Sequence, residues 1–130
     1  MKILPFSDLH RSVCASQAIV AASQLANVVI GAGDFATRGE GCLDTLRILK
    51  NCACPVAIVH GNHDNPSEIS RVCADWSKLH YLHGNWVDIG GVNFFGLGGE
   101  IPSRNAFDWN ALKLKPLQRQ CWRTARPAVC

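Results

Sequence analysis

Asp8, His10, Asp34, Asn62, His63 and Asp64 are side chains able to bind metal or move protons, and each stands just past a short apolar run. Lys2-Ile3-Leu4-Pro5-Phe6 stops at Ser7-Asp8-Leu9-His10, Asn27-Val28-Val29-Ile30-Gly31 stops at Ala32-Gly33-Asp34, and Val56-Ala57-Ile58-Val59 stops at His60-Gly61-Asn62-His63-Asp64. Short runs rich in β-branched residues read as strands buried on both faces, as a parallel sheet provides. Residues just beyond the carboxyl ends of such strands lie where open α/β sheets bind their ligands. With the three strands side by side, Asp8, His10, Asp34, Asn62 and His63 converge on one rim. Two carboxylates, two imidazoles and an amide form a hard to borderline donor set suited to divalent Mn, Fe or Zn.

The segments between these runs supply the scaffold. Residues 12–26 are rich in Ala, with apolar residues at helical spacing, and Ser12 is the expected N-cap. Gly39 and Gly41 mark a loop before a second helix over 42–51, with Leu43, Leu46 and Leu49 inward. Asn65-Pro66-Ser67 reads as a turn and cap leading into a third helix over 68–76. Repeated β-α-β units of this kind specify an α/β fold with a parallel sheet. After Trp76 the pattern changes to apolar runs at 79–82, 86–89 and 92–97, separated by His83-Gly84-Asn85 and Gly90-Gly91, which are expected to pair as hairpins.

Asp-x-His, then Gly-Asp, then Gly-Asn-His-Asp, each after an apolar strand, resembles the calcineurin-like metallophosphoesterase superfamily over residues 1–105. The resemblance implies an α/β fold, a partial four-layer αββα sandwich whose β-α-β units pass into hairpins. It implies a metal-dependent phosphoric ester hydrolase, a phosphatase or phosphodiesterase, that uses two divalent ions (Mn, Fe or Zn) to activate a hydroxide. Asp8 and His10 match ligands of the first metal, Asp34 the carboxylate bridging both, and Asn62 a ligand of the second. His63 matches the proton donor to the leaving group and Asp64 the partner that orients it. The family completes its sites with later Gly-His and Gly-His-x-His motifs, whereas no histidine follows His83 here. The first site thus keeps Asp8, His10 and Asp34, and the second only Asp34 and Asn62. Two functions follow as expectations: a hydrolase of phosphate esters impaired by an incomplete second site, or an inactive remnant that binds metal or phosphate.

The remaining features set bounds. A chain of 130 residues with 48% hydrophobic content suits one small domain. No apolar run is long enough for a bilayer, and the N-terminus lacks the pattern of a signal peptide, so a cytoplasmic location is expected. Seven cysteines without CxxC spacing read as reduced thiols. Of the net charge of +3, residues 106–130 carry five basic side chains against Asp108, so the rest of the chain is close to neutral and gives no sign of nucleic-acid binding. That basic, aperiodic tail is expected to lie outside a truncated domain of residues 1–105, leaving a sheet edge open to self-association. His60 is expected to be a packed or partly exposed histidine without a functional role, and His80 and His83 are not expected to be ligands. Arg11 reads at least as well as a solvated arginine at a helix start as it does as a substrate clamp. Gly31-Ala32-Gly33-Asp34-Phe35-Ala36 also fits a dinucleotide-binding loop, but Asp34 would face a pyrophosphate and the next strand does not end in the ribose-binding acid.

Overall fold

The computed structural model of the protein describes residues 1–100. Four strands, β1 (Ile3–Phe6), β2 (Val28–Gly31), β3 (Val56–Ile58) and β4 (Leu79–Tyr81), form one parallel sheet in the order β1-β2-β3-β4. The crossovers carry α1 (Val13–Ala22), α2 (Cys42–Leu49) and α3 (Pro66–Ala74). Parallel crossovers share one hand, so a sheet that grows in a single direction puts all its helices on the same face.

Side-chain alternation along the strands divides the core in two. Val29, Val56 and Ile58 face the helices and pack with Leu46, Leu49, Ile69 and Trp76. Val28 and Ala57 face the other way, with Ile30 and Val59, onto an antiparallel hairpin of β5 (Asn85–Ile89) and β6 (Val92–Gly96) through Ile89, Val87 and Phe94. The described residues therefore make three layers, helices on sheet on hairpin. The outer face of the hairpin carries Trp86 opposite Phe95, both exposed.

Local signals account for the element ends. Ser12 caps α1 by accepting the Ala15 amide at 3.2 Å, and Asn65 caps α3 by accepting the Ser67 amide at 3.0 Å with Pro66 in the first turn. The helical run after Ser12 leaves α-geometry at Ala22 and finishes as a 3-10 turn, Ser23–Leu25, because Ser23 turns inward to accept the Ala53 amide at 3.0 Å. One expectation fails: residues 79–82 form no hairpin. β4 pairs parallel to β3, since α3 returns the chain across the sheet, and His83-Gly84-Asn85 links the two sheets instead of closing a turn. Gly90-Gly91 does close a hairpin, with Ile89 opposite Val92.

Cys14, Cys42, Cys52, Cys54 and Cys73 are free thiols, and burial pushes Cys42 far above the usual range. Cys121, Cys130 and the expected boundary at 105/106 lie outside the described residues. No helix among the described residues is long and apolar enough to cross a membrane.

His60, at the end of β3, is 1% exposed, as a packed histidine should be. Its Nδ1 lies 2.6 Å from the Tyr81 hydroxyl and its ring tilts against His83. Burial, reinforced by the nearby His83, pushes its pKa down to about 4. The unfolded chain takes up that proton near its ordinary value, so the contribution of a neutral His60 is fully present above about pH 6.5 and is lost as pH falls toward 4. Urea denaturation at stepped pH should show stability falling through this window, by on the order of 3 kcal/mol from His60. His60→Phe should flatten the slope, and an unchanged slope would refute the assignment.

Candidate metal centre

The loops after β1 and β2 stay hydrogen-bonded to each other past the ends of the strands. The Asp8 amide donates to Gly33 O at 3.1 Å, the His10 amide to Asp34 O at 2.9 Å and the Arg11 amide to Phe35 O at 3.0 Å. This pairing brings Asp8, His10 and Asp34 together, with ligand atoms all within 4.8 Å of one another. Asp8, His10, Arg11, Asp34 and Arg38 all have left-handed backbone, at φ of 56°, 42°, 67°, 58° and 52°. Such conformations cost non-glycine residues about 1–3 kcal/mol each and persist where surrounding contacts over-determine them.

Those contacts converge on Asp64, which is 2% exposed. Its Oδ2 accepts the Asp34 and Gly61 amides and its Oδ1 accepts the Ala36 amide, all at 2.8 Å. Burial raises the pKa of its carboxyl, while the three amides favour the charged form and the nearby Asp34 opposes it. One carboxylate thereby locks the loop after β2 to the loop after β3. Gly61 completes the lock, because a Cβ there would overlap the Asp34 carboxylate. The family resemblance implies that Asp64 orients His63; the contacts seen here are to backbone amides on both loops.

The two imidazoles are held in opposite senses. His10 Nδ1 lies 3.0 Å from the carbonyl of Ala36, which accepts only a proton, so the neutral ring keeps its Nε2 lone pair free. That Nε2 faces Asp8 Oδ1 at 3.7 Å, the orientation of a ligand nitrogen. His63 Nδ1 instead accepts the Arg38 amide at 3.0 Å, so the neutral ring carries its proton on Nε2. The rings meet edge to face, with centroids 4.9 Å apart. The main chain of His63 is fixed as well, its amide donating to Asp34 Oδ1 at 3.0 Å and its carbonyl accepting the Gly39 amide at 2.8 Å. Asn62 is half-buried between Gly61 and His63.

Two carboxylates and an imidazole fit a divalent cation. Residues 1–119 match the model of the calcineurin-like phosphoesterase superfamily domain. The chain belongs to that superfamily. Among solved structures, TT1561 of Thermus thermophilus superposes with a TM-score of 0.69 at 23% identity, over 80% of this chain and 51% of that one. A second solved structure superposes with a TM-score of 0.72 at 12% identity, over 97% of this chain and 65% of that one. Both support the fold, and the chain spans between half and two thirds of their length. No curated protein sequence matches it. Membership makes the chain a relative of hydrolases that act on phosphoester bonds with divalent metals, and the Asp8, His10 and Asp34 cluster is where this chain would hold one.

No sequence signal points to the groups that set the two tautomers, because they are the Ala36 carbonyl and the Arg38 amide. Only Gly39 and Gly41 mark that loop. Asp64→Asn replaces one acceptor oxygen by a donor facing an amide. It should cost on the order of 2–4 kcal/mol in urea denaturation; a loss under about half a kcal/mol would show that the loops hold without the carboxylate.

Proposed function

We propose that the chain hydrolyses phosphate esters at this rim, with Asp8, His10, Asp34 and Asn62 as metal ligands and His63 as the proton donor. The observation that supports this best is the pair of opposite contacts at Nδ1, His10 against the Ala36 carbonyl and His63 against the Arg38 amide. His10 presents a lone pair beside a carboxylate, and His63 presents a proton. Bound divalent cations supply charge neutralisation at the phosphoryl group and a water acidified into the neutral range.

The residues of the chain do the rest. Asp34 is shared by both ligand sets, Asp8 and His10 on one side and Asn62 on the other, and its carboxylate is steadied by the His63 amide. His63, anchored at Nδ1, is placed to give its Nε2 proton to the departing oxygen. Asp64 orients His63 by keeping the two loops in register.

A second reading rests on the ligand census, since Asp8, His10 and Asp34 are the one metal-competent group of this kind among the described residues. A cation held by Asp34 and Asn62 alone must complete its shell with water and binds weakly. On that reading the protein binds one ion and phosphate without turnover. Calorimetry with Mn²⁺ beside turnover of an aryl phosphate diester separates the two: two ions with turnover support the hydrolase, and one ion without turnover supports the binding protein.

Asp34→Asn should weaken Mn²⁺ binding more than any other single substitution, by roughly 10–100-fold. Equal affinity in mutant and parent would remove Asp34 from the site. His63→Ala should leave Mn²⁺ content unchanged and slow esters with poor leaving groups by about 10²–10⁴-fold, while sparing good leaving groups. Loss of metal from His63→Ala would make it a ligand instead.

A further inference from the structure

Arg11 occupies a position that the stability of the fold does not account for. It follows His10, with its amide bonded to the Phe35 carbonyl, in left-handed backbone at φ 67°. Its side chain crosses to the loop before α2, where the absence of a side chain at Gly41 makes room for it: a Cβ at 41 would come within 2.7 Å of Cδ and 2.9 Å of Cγ. Gly41 is also the N-cap of α2, with no side-chain cap bond, so an exposed guanidinium is held beside the positive end of a helix. Among the described residues no carboxylate lies within ion-pair distance of it. A positive helix end and a missing counter-charge both work against placing a guanidinium here, and both are relieved if it meets an anion.

We propose that Arg11 is a substrate-binding residue whose guanidinium takes non-bridging oxygens of the phosphoryl group at the Asp8, His10 and Asp34 rim. This rests on the proposed function and adds to it the group that recognises the substrate's phosphoryl oxygens. The planar fork fits two oxygens of one phosphoryl group, and with no carboxylate competing it is available to the incoming anion. The same contact serves the phosphate product, so inorganic phosphate is a sufficient probe and turnover is not needed.

The test is calorimetric titration of inorganic phosphate into the full chain with Mn²⁺, comparing the parent with Arg11→Gly and Arg11→Lys. Arg11→Gly should keep a thermal midpoint at or above the parent's, because glycine relieves the left-handed backbone. It should hold Mn²⁺ within about twofold of the parent and lose about tenfold or more in phosphate affinity, with Arg11→Lys between the two. Millimolar guanidinium chloride should restore part of the phosphate binding of Arg11→Gly, which a purely structural role would not allow. Phosphate affinity unchanged in both variants, or no phosphate binding by the parent, overturns the proposal. Binding of phosphate through Arg11 by a parent that binds no Mn²⁺ would support the contact and overturn the metal centre, so the two failures are distinct.

Discussion

The bonds from the Asp64 carboxylate to the amides of Asp34, Ala36 and Gly61 are the constraint on which the rest of the site depends. The strands themselves are three or four residues long where they carry the ligands, and such short pairings cannot fix the conformation of the loops beyond them. A buried carboxylate with three backbone donors can, because without it the Ala36 and Gly61 amides would be buried with nothing to bond. Charge and burial are also in tension at Asp64, which explains why the acceptor must be saturated with donors: a carboxylate this deep with fewer partners would prefer to be neutral.

From that lock follows the division of labour between two residues of the same type. Main-chain groups stand at Nδ1 of both His10 and His63. The Ala36 carbonyl accepts from one and the Arg38 amide donates to the other, and both belong to the stretch that Asp64 positions. Asp34 and Arg38, in the same stretch, both hold left-handed backbone, so the groups that set the two tautomers sit in a strained loop.

Much of this was legible in the sequence. The apolar runs ending at Asp8, Asp34 and Asn62 announced parallel strands with polar carboxyl ends, and Ser12 and Asn65 cap the helices their context implied. The run at 79–82 was misjudged because a short apolar segment looks the same in a parallel and an antiparallel pair, and only the packing of α3 decides between them. The neighbourhood of His60 was legible only as burial: its contacts with Tyr81 and His83 bring together residues more than twenty positions apart. The tautomers of His10 and His63 could not be read at all, since main-chain groups carry no signature of residue type.

The strand order β1-β2-β3-β4 bears on how the site comes into being. Every pairing in the main sheet joins strands that are consecutive in the chain, so each β-α-β unit can dock on the one before it without waiting for distant sequence. A chain emerging from the ribosome can therefore lay down its sheet vectorially, strand upon strand. The loop carrying Asp34 has its own strand early, but its lock arrives only when Gly61 and Asp64 follow β3 into place. Until then Asp34 is held beside Asp8 and His10 only by the bonds between the loops after β1 and β2, so the cradle closes in two stages.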